Sequence, residues 1–378
     1  MAVACYVIVI SFWNERKNMR RKLSKILFSV ATAMMLTVFG NVGTEAGVVK
    51  AAEIAPTAAT TATVEAAPPG MYRSELTNEW ISESLRTQRP IAVMVDNEKI
   101  ALPHYGISQA DVVYEMMNST KNGRITRLMA LVKDWNSITR FGSIRSLRPT
   151  NILLAAEWNA VLCHDGGPFY NNAYLAKGYM NNFSAGFARI ANGKPREFTE
   201  YITTGEVAAR FKKANVTTQY NEFYPGPHFK FADEFNQIIP VGPGTESCSK
   251  VELPFEHNKS TLVYNPATMT YDYYEYGMAH VDAGNNNKQT TFKNVIIQDC
   301  TYHVYDNNGY MIFNCIDIFR TGYYITNGRV TPIVWMKTSD TDITRYFGLD
   351  GQEITLNTGK TYIALCPNDD FPNLKIYP

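Results

Sequence analysis

Pro90-Ile-Ala-Val-Met-Val-Asp96 opens on a proline and closes on an acid, with five apolar residues between them. A run this short, flanked by polar residues, reads as one buried strand rather than a helix. Asp111-Val-Val-Tyr-Glu-Met116 and Ile125 to Val132 have the same character, and Ala160-Val-Leu-Cys-His164 is a fourth run, ended by Asp165-Gly-Gly-Pro168. Between the third and fourth lies Asn151 to Trp158, whose Leu-Leu-Ala-Ala-Glu centre favours helix. The order strand, strand, strand, helix, strand predicts a mixed α/β layer for residues 72–215.

Downstream, residues 216–260 are irregular, with Tyr224-Pro-Gly-Pro227 and Val241-Gly-Pro-Gly244 marking turns. From 261 to 378 the pattern turns almost wholly to strands rich in Val, Ile, Tyr and Thr: Thr261–Tyr264, Thr270–Tyr274, Asn294–Gln298, Tyr310–Ile318, Tyr323–Ile325 and Pro332–Lys337. Asn308-Gly309, Asn327-Gly328 and Asp350-Gly351 punctuate them as hairpin turns. The expected class is α+β, an α/β N-terminal domain followed by a mostly antiparallel β domain.

Upstream, Met19-Arg-Arg-Lys-Leu-Ser-Lys25 and the uncharged stretch Ile26–Phe39 form a secretory signal pattern. The stretch is shorter than the roughly twenty apolar residues that span a bilayer. Residues 1–52 are therefore read as a leader with Met19 as the start and cleavage near Ala51 or Ala52, the alternative being a longer signal or two-part anchor. The membrane is met only through this transient segment. Residues 53–71, rich in Ala, Thr and Pro, read as a flexible tether. The expected location is extracytoplasmic, secreted or associated with the envelope.

The leader holds seven of the 36 basic and two of the 35 acidic residues, leaving 29 against 33. A mildly acidic chain is not a general nucleic-acid binder. Five cysteines remain, Cys163, Cys248, Cys300, Cys315 and Cys366, without C-x-x-C spacing. Cys300 and Cys315 lie on two arms of an expected hairpin, so both a bridge and buried strand thiols stay open.

The sharpest anomaly is charge. Lys121, Arg124, Arg127, Lys133, Arg140, Arg145 and Arg148 fall within 28 residues, with Asp134 the sole acid. Phe141-Gly-Ser-Ile-Arg-Ser-Leu-Arg-Pro149 leads into the expected helix, with Ser146 as its N-cap and Pro149 in its first turn. A helix N-terminus and planar guanidinium forks favour phosphate or carboxylate. The same arginines could instead pair with Glu115 and other acids to brace the fold. His164 ends a strand before Gly166 and Gly167, where a ligand can approach backbone, though a plain turn explains it equally. Candidate ligand-binding residues are thus Arg124, Arg127, Arg145, Ser146, Arg148, His164, Gly166 and Gly167. His280-Val281-Asp282 has metal-ligand spacing, but a pair falls short of the three protein ligands that zinc needs. No metal and no cofactor are expected. Tyr271, Tyr273, Tyr274 and Tyr276 are read as sheet tyrosines rather than a sugar platform.

Several segments resemble a known family. Ala110-Asp-Val-Val-Tyr-Glu115, Gly123-Arg-Ile-Thr-Arg-Leu-Met-Ala130, Gly142-Ser-Ile-Arg-Ser-Leu-Arg-Pro149 and His164-Asp-Gly-Gly167 resemble the N-terminal domain of the YerB-like bacterial envelope proteins. Gly277-Met-Ala-His-Val-Asp282, Asn294-Val-Ile-Ile-Gln298, Val334-Trp-Met-Lys337 and Gly359-Lys-Thr361 resemble their C-terminal domain. The resemblance implies envelope location and two-part architecture but no activity. The resemblance implies a lipoprotein-like protein, whereas no cysteine lies between Cys5 and Cys163 here, so anchoring at a lipobox cysteine is not expected. Where the family carries Pro-His-Asn, this chain has Phe198-Thr-Glu200. A looser likeness is to the LytR-CpsA-Psr phosphotransferases, in which arginines hold a lipid pyrophosphate, although Arg124-Ile-Thr-Arg127 lacks the acid of their motif.

The leading expectation is capture of an anionic envelope ligand, such as a phosphorylated or carboxylated wall component. A phosphoryl or glycosyl-phosphate transferase using Asp96, Glu115 or Asp165 is the enzymatic alternative. A protein–protein module docking through the C-terminal sheet is the third.

Overall fold

Alternation along Ile91–Asp96 decides how the protein is layered. Ile91, Val93 and Val95 enter one core, and Ala92 and Met94 enter another on the opposite face. A strand buried on both faces must be apolar throughout, which is why the run reads without a polar break. The computed structural model describes residues 67–233 and 237–378. The leader and most of the tether lie outside the described residues.

Ile91–Asp96 belongs to a large mixed sheet. From one edge its strands run Glu246–Ser247, Arg329–Lys337, Asp317–Thr326, Asn294–Cys300, Thr361–Pro367, Val112–Met117, Thr126–Val132, Ile91–Asp96, Val161–His164 and Asn181–Ser184. Thr361–Pro367 lies parallel to both of its neighbours, Asn294–Cys300 and Val112–Met117. This one insertion joins the N-terminal and C-terminal regions into a single hydrogen-bonded surface. A smaller sheet built around Thr261–Asn265 and Thr270–Glu275 packs its Leu262, Tyr271 and Tyr273 into the first core. Those tyrosines are buried, as sheet residues would be.

Helix is scarcer than the sequence suggests. About 14% of the described residues are helical and 39% strand, so the protein is mostly β with few helices. The expected helix at 151–158 is present as Pro149–Ala156, fully buried against Ala92, Met94, Met129, Leu131 and Leu162. Each buried Leu or Ile there contributes roughly 1.5–3 kcal/mol. The nominally irregular connector contains a strand, Lys250–Glu252, that pairs with both Thr261–Asn265 and the C-terminal Lys375–Tyr377. All five cysteines of the described residues are free and buried, so Cys300 and Cys315 act as core thiols.

At the C-terminal end of the helix, Glu157 is fully buried. Its carboxylate accepts hydrogen bonds from the Tyr114 hydroxyl at 2.9 Å and from the Thr344 backbone N–H and hydroxyl at 2.9 and 2.7 Å. The Lys337 ammonium, equally buried, stands 3.4 Å away. Burial alone would raise the pKa of Glu157; Lys337, His228 and the Thr344 bonds outweigh it and hold the group at about 2. His228 stacks on Trp158 and is kept neutral by its own burial, so Lys337 supplies the balancing charge.

Candidate functional site

Asp96 ends its strand facing the helix side of the sheet, and the residue directly opposite on the neighbouring strand is Arg127. Opposed residues of an antiparallel pair share a face, so register alone brings these charges together. The segment 143–147 then runs along the same strand end: the Ser143 carbonyl accepts from Asp96 N–H at 3.0 Å, and Arg145 N–H donates to Met94 O at 3.0 Å. Asp165 N–H donates to Arg145 O at 3.0 Å, which docks the Gly-Gly turn against the arginine segment.

The helix does not start where expected. Ser146 is not its cap; Arg148 occupies the cap position, extended at φ −126° and ψ 163°, and its N–H donates to Asn151 Oδ1 at 2.8 Å. A residue before proline is disfavoured in the helical region, so Pro149 prevents an earlier start. The consequence is that Arg148 points away from the helix axis and into a cleft.

That cleft has a volume of about 550 Å³ and is lined by Arg127, Arg145, Ser146 and Arg148, with Glu98, Asn118, Lys121 and Tyr310 around them. Arg127 donates through Nη1 to Asn118 Oδ1 at 2.9 Å and to Ser146 O at 2.8 Å, and its buried Nε has no hydrogen-bond partner. Arg145 Nε lies 2.5 Å from Asp96 Oδ2, an ion pair without hydrogen-bond geometry, and its guanidinium sits 5.2 Å over Phe198. Arg148 donates to the carbonyls of Asn118 at 3.3 Å and Leu147 at 3.0 Å and lies 4.2 Å over the Tyr310 ring. Among the described residues no carboxylate pairs with Arg148, although only 7% of it is exposed. Burial, with Arg127 adding repulsion, pushes its pKa down to about 9, still protonated at neutral pH. Three buried or half-buried guanidiniums therefore face one buried carboxylate, with Glu98 and the exposed Glu197 4.0 and 3.9 Å from Arg145 at the rim.

The other candidates lie elsewhere. Arg124 forks onto Asp369 with two 2.9 Å bonds and reaches Asp370 at 3.1 Å, outside the cleft. Because this pair is partly exposed, Arg124→Ala is expected to lower stability by at most about 1 kcal/mol and to leave phosphate binding unchanged; urea unfolding and a phosphate titration check this. His164 is buried with Nδ1 2.9 Å from Gly166 O and Nε2 3.0 Å from the Asn182 amide. The carbonyl only accepts, so Nδ1 carries the proton and both nitrogens are engaged within the turn. Gly167, at φ +152°, could not carry a Cβ, which would fall 2.2 Å from Asn171 Nδ2 and 3.0 Å from Leu147 O. Gly166 likewise packs near the Ser146 hydroxyl. The turn thus braces the arginine segment from behind.

Asp165 pairs with Arg189 at 3.2 Å, and Glu115 is buried in a network with Thr126, Ser260, Tyr273 and Tyr362. Of the three carboxylates considered for catalysis, only Asp96 is at the arginines. Asn118 and Tyr310 escaped the sequence reading: neither carries charge, and Tyr310 joins the cleft from 162 positions beyond Arg148.

Family models described as the N-terminal and C-terminal domains of a protein of unknown function, DUF3048, match residues 76–217 and 251–363. The chain belongs to the DUF3048 family. Among DUF3048 relatives, the chain is 24% identical over 318 residues to YerB of Bacillus subtilis (strain 168), named as a candidate lipoprotein; the match covers 79% of this chain and 87% of that one. The crystal structure of YerB protein from Bacillus subtilis superposes with a TM-score of 0.67 at 20% identity, over 81% of this chain and all of that one. At that identity the likeness shows a shared fold. Among the described residues no helix is long and apolar enough to cross a membrane.

Proposed function

We propose that this DUF3048 protein works at the cell envelope and binds an anionic ligand, phosphorylated or carboxylated, in the cleft of Arg127, Arg145 and Arg148. The observation that carries the reading is Arg148, a buried cation held by carbonyls and an aromatic face with no carboxylate partner. An uncompensated buried charge costs several kcal/mol, and an incoming anion would offset that cost. Planar forks suit the bidentate acceptors of phosphate and carboxylate. Asn118 and Lys121 would add neutral and cationic donors at the same wall. The relative named as a lipoprotein supports the envelope setting.

Binding is favoured over turnover by Asp96, whose side chain is almost wholly buried and engaged by Arg145 and Arg127. A general base must reach the proton it removes, and this carboxylate is committed to holding the arginines. Equilibrium dialysis against phosphorylated and dephosphorylated wall fragments tests the reading. Retention of the phosphorylated fragments, lost on adding excess inorganic phosphate, is expected. Retention that excess inorganic phosphate leaves unchanged would overturn it.

A further inference from the structure

The His280-Val281-Asp282 spacing is divided by the fold. Asp282 turns away and accepts from Gly106 N–H at 2.8 Å, Ser108 N–H at 2.9 Å, the Ser108 hydroxyl at 2.6 Å and Gly284 N–H at 2.7 Å. His280 instead meets His104, 176 positions earlier, with His104 Nδ1 2.8 Å from His280 Nε2. Glu275 Oε1 lies 3.5 Å from the same His280 nitrogen. All three residues are buried, and one ligand atom from each lies within 4.8 Å of the others.

The tautomers are set by groups outside the cluster. His104 Nε2 is 2.6 Å from the Asp96 carbonyl, which can only accept, so that nitrogen carries the proton and the Nδ1 lone pair faces inward. His280 Nδ1 is held at 2.9 Å by the Thr290 hydroxyl, leaving Nε2 directed at His104 and Glu275. Metal-ligating histidines are oriented in this way, by a carbonyl or hydroxyl on the far ring nitrogen.

A second observation is independent of the histidines. Both oxygens of Glu275 are buried and meet no donor at good hydrogen-bond geometry, although the side chains of Asn258, Asn97 and Tyr273 stand beside the carboxylate; Oδ1 of Asn97 is likewise buried without a partner. Glu115 is close enough to repel it. Among the described residues neither glutamate is paired with a lysine or arginine. One buried carboxyl group thus stands beside two buried imidazoles with no lysine or arginine paired to it among the described residues.

We propose that His104 Nδ1, His280 Nε2 and the Glu275 carboxylate bind a divalent transition-metal ion of the zinc class. Two imidazoles with a carboxylate are a borderline set that suits zinc, whereas calcium and magnesium favour all-oxygen shells. Donors about 2.0–2.1 Å from a tetrahedral ion lie about 3.3 Å apart. The His280–Glu275 separation already matches, and the two histidines need to part by roughly half an ångström. Complete burial of all three residues keeps substrate from the remaining position, so the site is structural. It would pin the strand Thr270–Glu275 to the end of Ile91–Asp96, and thereby the carboxylate that holds Arg127 and Arg145.

The test uses the full chain without a histidine tag. After exposure to zinc chloride and dialysis, about one zinc per chain is expected by mass spectrometry of the metal. The thermal midpoint should fall with EDTA and recover with zinc. Glu275→Gln and His280→Gln, near in volume, should retain no zinc. The proposal is overturned if the unaltered chain holds no zinc and its midpoint ignores both EDTA and zinc, or if Glu275→Gln retains zinc at the same stoichiometry. Should the variants fail to fold, the two measurements on the unaltered chain still decide.

Discussion

Arg148→Met is expected to weaken phosphate binding at least tenfold while leaving the protein as stable as before, or more so. Arg148 is buried, has no carboxylate partner among the described residues, and is repelled by Arg127. Replacing a buried charge by an apolar side chain of similar length is often neutral or stabilising by about 1–4 kcal/mol. The carbonyls of Asn118 and Leu147 lose a donor, at about 1 kcal/mol each, so the net change should lie between a small loss and a gain of a few kcal/mol. If Arg148 only braced the fold, its removal would cost several kcal/mol instead. Urea unfolding separates the two. Arg145→Ala should behave differently, because it strips Asp96 of its nearest cation, and a stability loss there would say nothing against ligand binding.

Glu157→Gln is expected to cost about 3–5 kcal/mol, because it leaves the Lys337 ammonium buried and uncompensated. The volume is unchanged, so packing cannot explain such a loss. The acid dependence gives a second readout. The folded pKa of about 2 lies below the ordinary glutamate value near 4.3, so the stabilisation is fully present above that value. It is lost as pH falls toward 2, and a depression of this size corresponds to about 3 kcal/mol. Unfolding curves collected from pH 6 to pH 2 should show this slope in the unaltered protein and a shallower one in Glu157→Gln. Equal slopes would mean that other carboxylates carry the acid sensitivity. Because Glu157 joins the helix, Tyr114 and the Lys337–Thr344 segment, its loss should unfold both family regions together.

Local pattern carried much of the strand reading. The strands Ile91–Asp96, Val112–Met117, Thr126–Val132 and Val161–His164 fall on the expected runs because short, mainly apolar stretches suit a sheet covered on both faces. The arginine segment was legible for the same local reason: Arg145 and Arg148 are three positions apart, and Arg127 follows from strand register. The helix start was misplaced because Ser146 is a good cap in isolation, while the restriction Pro149 places on Arg148 is stronger. Long-range pairings left no local trace. Nothing in Thr361–Pro367 announces that it will lie between Asn294–Cys300 and Val112–Met117, and nothing near His280 announces His104. His164 drew attention by its position before Gly166-Gly167, but both of its nitrogens serve the turn.

The cleft and the His104–Glu275–His280 cluster meet at the end of one strand. Asp96 offers its carboxylate to Arg145 and its carbonyl to His104, and Asn97 donates to Glu115 and Thr126. Asp96 therefore bears on both the arginine cleft and the histidine cluster.

The most direct measurement is a calorimetric titration of the protein with pyrophosphate at low and moderate salt, repeated on Arg148→Met. Binding as described requires a saturable isotherm with one site per chain, weakened by salt, and at least a tenfold loss of affinity in Arg148→Met, since a charge-assisted bond contributes about 1.5–3 kcal/mol. A flat titration of the unaltered protein, or an isotherm that Arg148→Met leaves unchanged, would contradict it.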